Sequence, residues 1–166
     1  SMVSADPVIA VDRFDTRLES AKKFGATHLI NSQKDDIRAK VLEITGQQGA
    51  DVVVDNTGSP DMINLGYDLT QSNGRTILVG VPAKNDNISI YSLPLHFEKT
   101  ISGSHGGETD PSVDIPKYVR LYQKGKLNLD DFVTDIFPLE DINTAIDGMR
   151  SGEISGRCII KMTDIF

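Results

Sequence analysis

The stretch Pro7-Val8-Ile9-Ala10-Val11-Asp12 decides the fold. Four apolar residues run without interruption between a proline and a carboxylate, as in a strand buried on both faces of a parallel sheet. A strand that ends in an acid, in a doubly wound sheet, offers that acid to the hydroxyls of a ribose. The glycine-rich turn that accompanies such an acid falls about twenty residues earlier. That turn, and the strand before it, are expected upstream of Ser1, and the chain reads as the larger part of a dinucleotide-binding domain.

Working outward, Thr16 to Phe24 carries Leu18, Ala21 and Phe24 at helical spacing, with Asp15 as a cap and Gly25 as the left-handed stop. His28-Leu29-Ile30 reads as a strand, Asn31 to Lys34 as a turn, and Ile37, Val41, Leu42 and Ile44 as a helix closed by Gly46. Asp51 to Asp55 repeats the opening pattern with three β-branched valines. Ser59-Pro60 is an N-cap followed by N1, with Met62, Ile63 and Leu69 on the inward helix face. Thr76 to Val81 is the next strand, introduced by an Asn73-Gly74 turn and stopped by Pro82. Lys99 to Ser102 gives another, running into Gly103-Ser104-His105-Gly106-Gly107.

This alternation predicts α/β crossovers in a doubly wound parallel sheet. The later part differs. Ile115, Tyr118, Val119 and Tyr122 mark one helix closed by Gly125, and Ile142, Ala145, Ile146 and Met149 another closed near Gly152. Asp131 to Phe137 is extended between them, and Arg157 to Met162 is a last strand. The composition shift near Gly106 to Pro111 divides the chain into 1–105, a partial dinucleotide-binding domain, and 106–166, the C-terminal helices and strand.

The 166 residues suit one ordinary domain, with 39% apolar and 25% charged residues, so neither disorder nor membrane insertion is expected. A net charge of −7 without a basic cluster argues against nucleic-acid partners and favours a small molecule. Cys158 is the single cysteine, which excludes an intrachain disulfide and suits a cytoplasmic location. Ser1-Met2 reads as a cloning remnant rather than as part of a signal peptide.

Among candidate site residues Asp12 leads, with helix capping as its structural alternative. A ribose-binding carboxylate repels the extra phosphate of NADP and so favours NAD, although Arg13 and Arg17 lie beside it and an arginine there can accept that phosphate. Gly58, Gly80 and Gly103 each follow or end a strand, along the carboxyl edge of the sheet. Arg157 precedes the last strand and offers paired donors to a pyrophosphate, or is a surface arginine. His28, His96 and His105 are scattered, so no metal site is assembled. Asp51 and Asp55 bracket a strand and point to neighbouring crossover ends, which disfavours a catalytic dyad.

These residues together resemble the C-terminal portion of a medium-chain dehydrogenase of the zinc-dependent alcohol dehydrogenase family. The resemblance rests on Ile9 to Asp12, Ala21 to Thr27, Gly49 to Asp55, Asn73-Gly74-Arg75, Leu78 to Pro82 and Pro138 to Asn143. It implies a Rossmann-type sheet without its first strand, then a segment returning to a catalytic domain, and hydride transfer between an alcohol or a carbonyl and a nicotinamide. By position it makes Asp12 the adenosine-ribose acid, Arg17 the basic residue beside that ribose, and Arg157 the pyrophosphate arginine. Asn56 and Thr57 fall in the cofactor groove, Val79-Gly80-Val81 along the nicotinamide, and Ser104 and His105 on the carboxamide loop.

Zinc ligands, proton relay and glycine turn all belong upstream of Ser1 in this comparison, so zinc has no ligands in this chain, and 1–166 alone is expected to be inactive. A non-catalytic nucleotide-binding or interaction module derived from a dehydrogenase is the alternative. The missing first strand would be the central one, leaving the edges of 8–11 and 52–54 to pair with each other or to be covered in a dimer, and a homo-oligomer is expected.

Overall fold

A computed structural model describes residues 4–162. The chain forms two compact units, one gathering the residues up to Asp35 with those from Pro111 onward, the other comprising Asp36–Asp110.

In the first unit, β1 (Ile9–Asp12) leads through α1 (Asp15–Lys23) to β2 (His28–Asn31), which pairs with β1 in parallel, Ile9 opposite His28 and Asp12 opposite Asn31. The apolar run therefore makes the strand it predicts, with its acid at the tip, but the expected burial on both faces is not met: no residue of β1 is fully buried and Val11 is exposed. Asp15 does not cap α1; Phe14 occupies the N-cap position without a side-chain bond, and Asp15 lies in the first turn. There its carboxylate bonds the Lys34 ammonium and the Asn31 amide, and the Lys34 bond is the main reason its pKa falls below the ordinary value. The helix ends as predicted at Gly25, whose φ of 104° suits a residue without Cβ. Leu18, Ile30, Ala145 and Ile154 are this unit's buried apolar residues.

Also in this unit, α4 (Pro111–Gln123) has the predicted stripe of Ile115, Tyr118, Val119 and Tyr122, but all four are exposed. The parallel pair β6 (Val133–Pro138) and β7 (Arg157–Lys161) flanks α5 (Ile142–Ser151). Helix α5 stops where the sequence predicts, at Gly152 in the left-handed region with φ 82°.

The second unit begins with α2 (Ile37–Ile44), capped by the Asp36 carboxylate, which accepts from the Ala39 N–H. A parallel sheet of order β3-β4-β5 follows, made of Ala50–Asp55, Thr70–Leu78 and Thr100–Gly103, with α3 (Pro60–Leu69) joining β3 to β4. Ile63 and Leu69 are buried as predicted, Met62 is half-buried, and Tyr67 joins the core instead. Asn73-Gly74 is not a turn before the strand. It lies inside β4, which starts at Thr70 and shifts register so that Ala50 faces Thr70 while Val52 faces Arg75. Gly74 is needed there because a Cβ would stand 2.8 Å from the Asp51 carbonyl oxygen. β4 also ends earlier than predicted, at Leu78, because the Val79 and Gly80 N–H groups both turn onto the Asp55 carbonyl.

Direct pairing of 8–11 with 52–54 is not among the ladders of the described residues. Each strand instead bonds its neighbour across one crossover, β1 to β2 and β3 to β4.

Candidate cofactor site

Asp12 stands one residue beyond the apolar run, half-buried at the end of β1. Its Oδ1 accepts from the Phe14 N–H at 2.9 Å, an Asx-type turn that fixes the carboxylate at the strand tip. Its Oδ2 is 4.0 Å from the Arg17 guanidinium, so one oxygen is held by the backbone and the other faces a cation. The side chain bonds the N-cap residue rather than an N–H inside the helix, and so leaves Oδ2 open to another donor.

Arg17 is itself engaged. It donates to the Met149 carbonyl at 2.8 Å, in the last turn of α5, where a cation opposes the negative end of the helix dipole. Arg17 and Arg157 line one groove of about 420 Å³, shared with Phe24, Phe132, Met149 and Asp131. The rings of Phe24 and Phe132 meet there with centroids 4.3 Å apart. The first unit thus sets Arg17 beside Asp12 and on one groove with Arg157, which lies far along the chain.

In the second unit the strand ends collect the other candidates. Asp55, 6% exposed at the tip of β3, accepts from the Thr57 N–H at 3.2 Å, the Thr57 hydroxyl at 2.6 Å and the Gly58 N–H at 2.9 Å. It organises Asn56-Thr57-Gly58 at the start of the crossover into α3, and leaves the Asn56 side chain exposed. Gly80 presses on that loop: a Cβ there would lie 2.2 Å from the Gly58 nitrogen. Gly58, with φ 68°, meets the Val81 carbonyl in return, so the loops after β3 and β4 interlock backbone to backbone.

Val79 and Val81 are exposed on the second of these loops, Val81 at 88%. The Ser104 N–H donates to the Leu78 carbonyl at 2.8 Å, and its hydroxyl accepts from the Gly107 N–H, which ties the loop after β5 to the end of β4. His105 is exposed beside it. Asn56, Thr57, Val79, Gly80, Val81, Ser104 and His105 therefore share the carboxyl edge of one three-stranded sheet, the edge where ligands of open α/β sheets bind.

Sequence reasoning missed two residues that shape these loops. Asp55 had a legible signal, since it repeats the strand-plus-acid pattern of Asp12. Phe14 had none, because its part is played by its backbone N–H. Among the described residues no three His, Cys, Asp or Glu side chains gather as metal ligands. No described helix is long and apolar enough to cross a membrane.

The likeness to known proteins runs over nearly the whole chain. Residues 2–124 match the family model of the zinc-binding dehydrogenases. Alcohol dehydrogenase 1 of Pisum sativum is 36% identical over 163 residues, which are 96% of this chain and 42% of that protein. Alcohol dehydrogenase 2 of Zea mays is 35% identical over 166 residues, 98% of this chain and 43% of that protein. Among solved structures, benzyl alcohol dehydrogenase from Acinetobacter calcoaceticus superposes with a TM-score of 0.87 at 38% identity, over 96% of this chain and 43% of that one. An alcohol dehydrogenase zinc-binding domain protein from Burkholderia ambifaria reaches the same TM-score at 33% identity, over 98% and 43%. The chain thus spans less than half the length of these relatives, and it belongs to the zinc-binding dehydrogenase family.

Proposed function

We propose that this chain forms the dinucleotide-binding part of an NAD-dependent alcohol dehydrogenase, one that moves a hydride between a small alcohol and its aldehyde or ketone. The observation that carries the reading is Asp12, fixed by the Phe14 N–H with its other oxygen open beside Arg17. A carboxylate so held accepts from the two hydroxyls of an adenosine ribose and repels a 2′-phosphate, which favours NAD over NADP. Arg157, exposed on the groove it shares with Arg17, has a free fork for pyrophosphate oxygens. The loop edge of the second unit, with its interlocked glycines and exposed Val79 and Val81, presents backbone to a flat ring.

When bound, the nicotinamide supplies the hydride acceptor. The residues of the first unit keep the adenosine end in place. Zinc chemistry is assigned, on the family resemblance, to the part of the relatives' length that this chain does not span. On this reading 1–166 binds nucleotide without turnover, as a 1–105 cofactor part and a 106–166 return segment, in a cytoplasmic enzyme that assembles as a homo-oligomer.

Calorimetric titration with NADH tests the site. Binding weaker than that of an intact dinucleotide domain is expected, and Asp12→Ala weakens it by about tenfold, the scale of one charge-assisted hydrogen-bond pair. Tight binding indifferent to Asp12→Ala sinks the ribose assignment.

A further inference from the structure

Four contacts tie α1 and the residue before it to the last turn of α5 and the residues that follow it, and all lie within the first unit. Thr16 Oγ1 donates to the Gly152 carbonyl at 2.8 Å, and Arg17 donates to the Met149 carbonyl at 2.8 Å. The Ser20 and Ser155 hydroxyls meet at 3.1 Å. The fourth contact is steric: Gly152 is buried, has φ 82°, and lies so close to the Phe14 ring that a Cβ would sit 2.5 Å from its Cγ. The ring is flanked by the guanidinium carbons of Arg13 at 4.7 Å and Arg17 at 4.9 Å from its centroid.

Phe14 is also the residue whose N–H holds Asp12 Oδ1. A displacement of its ring at Gly152 that shifts the backbone of residue 14 would reach the carboxylate through this hydrogen bond. The left-handed glycine serves α5 as a C-cap, for which any side chain is strained by conformation alone. Its approach to an aromatic ring on another element is a separate demand, and capping does not explain it.

We propose that Gly152 is a positioning residue for the nucleotide: through Phe14 it sets the Asp12 carboxylate, and so it governs the preference for NAD over NADP while touching no cofactor itself. This rests on the dinucleotide reading above. The carboxylate discriminates only while its open oxygen is aimed at the ribose hydroxyls. Freed from the Phe14 N–H it rotates towards solvent or onto Arg17, which weakens the bonds to a free ribose and lessens the repulsion of a 2′-phosphate. Loss of aim thus lowers NADH affinity while sparing or raising that of NADPH, whereas general loosening of the fold lowers both together.

The test is NMR titration of the ¹⁵N-labelled chain with NADH and with NADPH, for the unsubstituted protein, Gly152→Ala and Thr16→Val. The unsubstituted chain is expected to prefer NADH, and Gly152→Ala to reduce the NADH-to-NADPH affinity ratio by about fivefold. Thr16→Val, which removes one bond to the same glycine without backbone strain, reduces the ratio in the same direction by about twofold. Adding Phe14→Ala to Gly152→Ala makes room for the new methyl group while keeping the residue-14 N–H, and restores the ratio towards its original value.

An unchanged ratio in a folded Gly152→Ala protein overturns the proposal. Should that variant lose its dispersed spectrum, an unchanged ratio in Thr16→Val does so alone. An unsubstituted chain that binds neither nucleotide overturns the dinucleotide reading and this inference with it. A chain that binds both with a ratio blind to residues 152 and 16 overturns only the inference.

Discussion

Lys99 is 7% exposed, and its ammonium is satisfied in an unusual way. Nζ donates to the Thr70 carbonyl at 2.6 Å and stands 4.2 Å above the Tyr67 ring, whose own hydroxyl donates to the Tyr91 carbonyl. Burial pushes the Lys99 pKa below the ordinary lysine value, against a smaller opposing pull from Asp68, and burial raises that of Tyr67. The folded chain therefore gives up the Lys99 proton at lower pH than the unfolded chain. Between the lowered pKa and about 10.4 the unfolded state binds more protons, so stability rises with pH across that window. Lys99→Met strands the Thr70 carbonyl and is expected to cost about 1 kcal/mol at neutral pH. Urea midpoints measured from neutral pH to about 10.4 should show that deficit growing, and a constant deficit contradicts the burial argument. Lysine before a strand is an unremarkable letter in the sequence. Only the fold places it between a carbonyl and a ring.

At the level of elements, the loops after β3 and β4 hold each other through glycines, and the two strand-end glycines of the second unit are not equivalent. A Cβ on Gly80 meets three backbone atoms of residues 56–58 within 2.6 Å, and backbone cannot move aside as a flexible side chain can. A Cβ on Gly103 meets nothing within 4 Å. Gly80→Ala is expected to destabilise by about 2–4 kcal/mol and Gly103→Ala by less than about 0.5 kcal/mol, read as midpoint shifts at unchanged denaturant slope. Equal costs dismiss the interlock. From sequence these glycines looked alike, each at the end of a strand, since nothing in the letters says which loop another loop will cross. Asn73-Gly74 misled for a related reason: the dipeptide predicts a turn, but β4 absorbs it as an irregularity because Thr70 already pairs with Ala50. The helical crossovers themselves were legible in their order and in where their helices stop. Apolar runs, helical spacings and left-handed stops at Gly25, Gly46, Gly125 and Gly152 are local in cause.

For the chain as a whole, a ligand that binds only the folded state stabilises by mass action. At ten times its dissociation constant NADH should add about 1.4 kcal/mol, raising the melting temperature by about 3–6 °C for a chain of this length. Asp12→Ala should abolish most of that rise at the same NADH concentration, and an equal rise with and without Asp12 removes the carboxylate from the site. Asp12 was found in the sequence because its signal is local, an acid closing an apolar strand. The strand-helix alternation was readable for the same reason, since it depends on neighbours within a few positions, and the family was readable from the order of several such short segments along the chain. What the tertiary structure alone decided is which distant residues act on one another. The Asp12 carboxylate is aimed by a backbone N–H at residue 14, the ring at 14 rests on a glycine at 152, and Arg17 spans Asp12 and the end of α5. Such contacts follow from packing between elements remote in the chain, and local spacing carries no record of them.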